Sequence, residues 1–154
     1  MIAQTLATPY RTAPRQNCDR AMLATDVLAA CKAAIMPLLT EAAIALVRIE
    51  YDGGGDEGQV HNVSACSADG KPANLPRAEC DQHRLNFDGS VTVDSVDLSD
   101  ALTNLAESAL EALYDGWENG EGAFGEVLID VTSGRVALEH NSRFVSYETE
   151  EHTL

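Results

Sequence analysis

Across fifty consecutive residues, from Leu85 to Gly134, this chain has no lysine and no arginine. The same stretch holds eleven carboxylates: Asp88, Asp94, Asp97, Asp100, Glu107, Glu111, Asp115, Glu118, Glu121, Glu126 and Asp130. Such a segment repels itself and every other anion, so it must stay hydrated, hold cations or meet a basic partner. Nucleic acid, ATP and anionic lipid are disfavoured as direct ligands, and a positively charged protein surface is favoured. Aromatic residues are also scarce, at 5% with a single Trp, so a core drawn from the 45% hydrophobic residues is mostly Ala, Val, Leu and Ile. No uninterrupted apolar run approaches the roughly 18–20 residues needed to span a bilayer. The basic-then-apolar order of a secretory signal is missing around Arg11, Arg15 and Arg20. These absences predict a cytoplasmic protein without membrane contact, whose four cysteines (Cys18, Cys31, Cys66, Cys80) are reduced thiols.

The length of 154 residues fits one domain. The formal charge of −15 is unevenly placed. Residues 1–49 carry five basic residues against three acids, whereas residues 50–154 carry five against twenty-two. Residues 1–19 lack periodicity and read as a flexible N-terminal arm. A single α+β domain is expected over 20–147, with an irregular insertion at 64–90 and an acidic tail at 148–154.

Leu23, Val27, Leu28, Cys31 and Ile35 recur at helical spacing. Pro37 is expected to end that helix, opening a second short one from Pro37 to Ala43. Ile44 to Tyr51 alternates with the period of a strand and enters Asp52-Gly53-Gly54-Gly55-Asp56-Glu57-Gly58, a glycine-rich acidic turn. Gln59 to Val63 leaves it, which predicts a hairpin. Val91 and Val93 suggest a short strand at 90–96. Ser99 is a plausible cap for an amphipathic helix over 99–115, whose apolar stripe is Leu98, Leu102, Leu105, Ala109 and Leu113 and whose end is Gly116. Phe124–Val131 and Arg135–Asn141 form a second hairpin through Thr132-Ser133-Gly134. This order predicts an α+β fold: an antiparallel sheet of four or five strands with two main helices on one face.

Four places could carry function. The first is the turn with Asp52, Asp56 and Glu57. Three glycines allow close backbone approach, but no base is present, so a phosphate cradle is disfavoured. A plain solvated turn, a protein contact and a cation site stay open. The second is Gly116-Trp117-Glu118-Asn119-Gly120-Glu121-Gly122-Ala123-Phe124-Gly125-Glu126. Here Trp117 is either a lid on the sheet or an interface anchor, and Glu118 with Glu126 is a conceivable carboxylate pair. The third is Cys66, Cys80 and His83, half of a zinc pattern without its second close pair. The fourth is the acid face Asp100, Glu107, Glu111, Asp115 and Glu118, which shares one side if the helix runs that far. Steps of four residues set neighbours about 6 Å apart. That spacing resembles phosphates along a nucleic acid strand, although any amphipathic helix also has a solvated face. The absence of Lys at i±4 favours the partner reading. No catalytic apparatus, metal site or cofactor motif is recognisable.

The loop Tyr51 to Gln59, the loop Gly116 to Glu126, and His140-Asn141-Ser142-Arg143-Phe144 together resemble motifs of an uncharacterised family of small acidic proteins from proteobacterial plasmids, prophages and integrated elements. The likeness spans about 37–63 and 98–154. This chain departs from that pattern at Gly120-Glu121, where Asn-Asp is expected, and by the additional Gly54. The resemblance brings no activity. It implies a mobile-element setting, in which small acidic proteins block host defence by occupying a nucleic-acid groove. Combined with the charge map, the expectation is a non-enzymatic inhibitor or modulator of anti-CRISPR or DNA-mimic type. It would bind a basic nucleic-acid-binding host protein, such as a CRISPR effector subunit, through Asp52, Asp56, Glu57, Asp100, Glu107, Glu111, Asp115, Trp117, Glu118 and Asn119. The alternatives are a divalent-cation-dependent enzyme or module built on Asp52, Asp56, Glu118 and Glu126, and an accessory housekeeping protein of the element. A homodimer through an exposed strand edge is compatible with any of these.

Overall fold

A computed structural model describes the backbone of residues 13–154 and the side chains from residue 22 onward. The elements in chain order are α1 (Ala13–Glu41), β1 (Ile44–Gly54), β2 (Glu57–Ser67), β3 (Pro72–Ala73), β4 (Glu79–Leu85), β5 (Val91–Asp97), α2 (Leu98–Leu113), β6 (Ala123–Asp130) and β7 (Arg135–Ser142). Five strands form one antiparallel sheet in the order β3-β2-β1-β6-β7, while β4 and β5 pair separately. The protein is therefore α+β, with two helices, a five-stranded antiparallel sheet and a two-stranded one.

Alternation along β1 dictates which face is covered. Val47, Ile49 and Tyr51 are buried, whereas Arg48 and Asp52 are exposed. The register extends this pattern sideways: Ala65, Val47, Ile129 and Val136 form one apolar row, and Val63, Ile49, Val127 and Leu138 the next. Against these rows lie Ile35 and Leu39 of α1 and Leu98, Leu102 and Leu105 of α2. The opposite sheet face is polar, with Arg48 paired to Glu126 at 3.1 Å, the one-sided pattern usual for antiparallel sheets. Leu102 is fully buried, and truncating such a side chain to Ala costs about 2–5 kcal/mol.

Helix α2 buries Leu98, Leu102 and Leu105 of the expected stripe, but its covered face continues through Ala106 and Leu110 and leaves Leu113 exposed, and its cap is Asp97, not Ser99. The Asp97 carboxylate accepts the Ser99 N–H at 3.2 Å, a stronger acceptor for an orphan donor than a hydroxyl.

Four other expectations are corrected. Pro37 does not break α1, which runs on to Glu41. Pro37 and Ala33 are both exposed, so the carbonyl deprived of its partner faces water, while Ile35 and Leu39 anchor the helix on either side. The helix also begins at Ala13, inside the expected arm; Pro14 falls in its first turn, where a missing N–H costs nothing. The segment 64–90 is not irregular: it completes β2 and supplies β3 and β4. Polar residues obscured this, because β4 turns Cys80 and Gln82 inward to pack on α1 and α2. Finally, Met22–Glu41 is apolar enough by length and composition to cross a membrane, with mean hydropathy 1.6 and 22% of the window buried. This revises the reading that no run approaches that length; in this fold its Cys31, Ile35 and Leu39 lie in the core.

Candidate functional site

The third row of the sheet aligns Val60, Tyr51, Gly125 and His140. It carries a linked set of aromatic rings. Tyr51 is buried with its ring edge-on to Trp117, centroids 5.2 Å apart. His140 stacks on Tyr114 at 3.7 Å and lies 5.9 Å from Tyr51. The Tyr51 hydroxyl is 2.9 Å from the Glu139 carbonyl and 2.7 Å from His140 Nδ1. One arrangement satisfies both: the hydroxyl donates to the carbonyl, and Nδ1–H donates to the hydroxyl oxygen. Burial pushes Tyr51 up to about 12, with the neighbouring Tyr114 and Glu139 adding to the rise. Burial also pushes His140 below its usual value. Both groups are held neutral.

Trp117 brings the two glycine-rich loops together. Its ring lies against Gly53 and Gly58, where a Cβ would come within 2.7 Å of Cζ3 and 2.5 Å of Cη2 respectively. The backbones then join. Gly55 N–H donates to Gly120 O at 2.8 Å, Asp56 N–H donates to Glu118 O at 3.0 Å, and Gly120 N–H donates to Asp56 Oδ1 at 3.3 Å. Asp56 takes a positive φ of 67° to do so, a conformation Asp tolerates better than most residues. Arg143 closes the far side. It meets Asp52 at 2.8 Å, donates to Gly53 O at 3.1 Å and Ala123 O at 3.3 Å, and lies 4.6 Å over the Phe124 ring. Its hydrogen bond holds the Asp52 carboxyl below the ordinary carboxylate range. The residues of all three sequence motifs thus meet in one junction, with Trp117 packed onto the sheet and half-buried.

Beside this junction is an open cleft of about 440 Å³ between the β1–β2 turn, α2 and the Trp117 loop. Asp56, Glu57, Glu107, Glu111, Asp115 and Glu118 line it, with Trp117, Val60 and Gln59, and no Lys, Arg or His is among the lining residues. Seven of the ten expected partner-binding residues therefore converge. The other three do not. Asp100 lies two helical turns from Glu107, roughly 10 Å along the axis. Asp52 faces Arg143. Asn119 braces the loop, its N–H donating to Gly116 O. The convergence does not come from one helical stripe, because α2 ends at Leu113; Asp115 and Glu118 reach the cleft from the following loop.

The carboxylates suggested for a divalent cation are separated: Asp52 pairs with Arg143 and Glu126 with Arg48. The zinc pattern is divided too, with Cys66 on β2 and Cys80 and His83 on β4. Among the described residues, no group of three or more His, Cys, Asp or Glu is placed to hold a metal ion. Cys31, Cys66 and Cys80 are free thiols, and burial raises the pKa of Cys31 and Cys80. Sequence reasoning missed the cleft's third wall, Gly58 to Val60, because only hairpin pairing brings it opposite α2. It also missed Gln82, whose polarity gave no hint of burial.

Fold and site together define an acidic α+β protein with a one-sided sheet and an anionic cleft beside a Trp-locked loop junction. The chain belongs to a family of unknown function, DUF6878, which it matches over residues 27–154. No curated protein and no solved structure matches it.

Proposed function

We propose that this protein is a non-enzymatic acidic binding protein that occupies a basic, nucleic-acid-binding surface of another protein, in the manner of a DNA mimic or anti-CRISPR inhibitor encoded by a mobile element. The observation that carries the reading is the convergence of six carboxylates on one cleft with no cation among its lining residues. Separated acids on a surface are ordinary solvation. Six held by three different chain segments concentrate negative potential at one place. Trp117 adds a flat aromatic wall, which suits an arginine guanidinium or lysine ammonium. Because the β1–β2 turn with the start of β2, helix α2 and the Trp117 loop form the walls, the charges are held before a partner arrives, and less ordering remains to be done on binding.

A nuclease-treated pull-down from host lysate at low salt tests this. The variant Glu107→Lys, Glu111→Lys, Glu118→Lys should release a basic partner that the wild type retains. The tail variant Glu148→Lys, Glu150→Lys, Glu151→Lys changes net charge equally and should still retain it. Equal retention by all three proteins would remove the cleft from the argument.

A further inference from the structure

The two edges of the five-stranded sheet differ. One ends in β3, which is two residues long and opens on Pro72. A short edge with a proline resists further pairing. The other ends in β7, eight residues with no Pro, Gly or Lys. Its register with β6 runs unbroken from Asp130 opposite Arg135 to Ala123 opposite Ser142, without a bulge. Residues 143–154, which follow it, are exposed and form no further strand. A long, regular and uncovered edge is a template to which another strand adds.

Hydrogen bonds fix which backbone groups of β7 point outward. Arg143 N–H donates inward to Gly122 O at 2.9 Å. The Glu139 carbonyl also points inward: it accepts the Tyr51 hydroxyl, and a Cβ on Gly125 of β6 would run into it. Backbone groups alternate along an antiparallel strand. Ala137, Glu139 and Asn141 therefore face β6, while Val136, Leu138 and His140 turn their N–H and C=O groups to the open side. Side chains alternate as well. Val136 and Leu138 continue the apolar rows of the core face, and Arg135, Ala137, Glu139 and Asn141 lie on the polar face. Neither Arg135 nor Glu139 joins an ion pair among the described residues.

We infer that β7 is a self-association edge, where a second copy of this chain adds its own β7 antiparallel and joins the two sheets into one. The strand complements itself. Reversal about a two-fold axis through Leu138 pairs Val136 with the second copy's His140, Leu138 with Leu138, and His140 with Val136. Each pair exchanges two bonds, about six in all. The same reversal sets each Arg135 diagonal to the other copy's Glu139, within reach of long side chains. An axis through Ala137 leaves only two such backbone pairs. One through Glu139 opposes that carboxylate to its own copy and Arg135 to Arg143. Residues 135–143 carry two arginines and one glutamate, so this edge escapes the acidity of the rest of the body. The inference does not depend on the acidic cleft.

Sedimentation equilibrium of the full chain tests this. A mass twice that of the 16.5 kDa chain should appear as concentration rises to about 100 µM. It should appear more readily at about 0.5 M salt, where repulsion between two bodies is screened, each of formal charge −15. Arg135→Glu and Glu139→Arg, both at exposed positions, should each weaken the dimer about tenfold, since each turns two attractive contacts into repulsive ones. The double variant should restore it. Glu139→Arg is the more telling of the two, because it lowers the net negative charge and would tighten an association governed by charge alone. In hydrogen exchange followed by NMR, the N–H groups of Val136, Leu138 and His140 should gain protection with concentration, while those of Ala137, Glu139 and Asn141 are protected throughout. A monomer at every concentration and salt, which would leave the edge to a strand of another protein, overturns the inference. So does a dimer whose outward amides stay unprotected, or a double variant no tighter than the single ones.

Discussion

Replacing Gly58 with alanine isolates what holds the two loops together. Gly58 lies in strand β2 and is not among the glycines with positive φ, so alanine fits its backbone. The whole effect is then steric. The new Cβ would sit 2.5 Å from Trp117 Cη2 and 2.9 Å from both Trp117 Cζ2 and the Glu118 Cβ. Ordinary carbon contacts lie near 3.5–4.0 Å, so the indole must retreat by about 1 Å. It has no free direction along the sheet, because Gly53 and Tyr51 already border the ring. Overpacking of this kind costs roughly 1–3 kcal/mol. The reduced freedom of the unfolded chain returns about 0.4–1 kcal/mol. The net loss is then about 1–2 kcal/mol. With a urea m-value of about 1–3 kcal/mol/M, the midpoint should fall by about 0.5–1 M. Because Trp117 is the only Trp, its emission should shift to the red in the folded variant. The comparison is Gly55→Ala, where φ is +62° and nothing lies within 4 Å. That change should cost about 1 kcal/mol through the backbone alone and leave the emission unmoved. An unchanged midpoint and emission for Gly58→Ala would refute the packing argument.

Other outcomes follow from the same geometry. Tyr51→Phe removes the hydroxyl shared by Glu139 and His140 and should cost about 0.5–1.5 kcal/mol in urea unfolding. Tyr51 also governs the alkaline limb of stability. Its folded pKa is raised to about 12 from 10.0, so its contribution is intact below pH 10 and is lost as pH rises from 10 to 12, an effect that the Phe variant should lack. His140 works in the opposite direction. Its lowered folded pKa makes its contribution full above 6.5 and lost as pH falls through the folded value, so His140→Gln should flatten stability across the mildly acidic range. Ala43, two residues past the end of α1, has φ 58°, and Ala43→Gly should raise stability by about 0.5–1 kcal/mol in thermal or urea unfolding. Arg143→Gln frees Asp52, whose carboxyl Arg143 holds low; the stability that Asp52 contributes above pH 3.8 and loses as pH falls should then disappear from the acid-unfolding profile.

Local periodicity was the readable part of this chain. The alternation of Val47, Ile49 and Tyr51 and the stripe Leu98, Leu102, Leu105 each state which face is buried, and both lie in the core. The turn Thr132-Ser133-Gly134 likewise marks its hairpin. Legibility failed where a polar side chain is buried or a special residue is exposed. Gln82 faces inward on β4, so the strand carries no apolar alternation. Pro37 faces solvent, so its missing hydrogen bond costs little and the helix continues. The site was half legible. The acids and Trp117 stand out individually, but their meeting depends on contacts made at a sequence separation of 64, which no local spacing encodes. One signal did exist. A lone Trp and a run of glycines answer each other sterically, the ring needing the space that missing side chains leave.

The tip of a β-hairpin is ordinarily the first part of a sheet to fray. Here the amides of Gly55 and Asp56 donate across to the loop after α2, so they exchange with solvent only when that loop also releases. The two segments form one opening unit, and their hydrogen-exchange protection should rise and fall together. Closing a contact over so long a separation is slow compared with forming either hairpin. The acidic cleft, walled by both segments, is consequently among the last features to appear during folding and the first to vanish on partial opening.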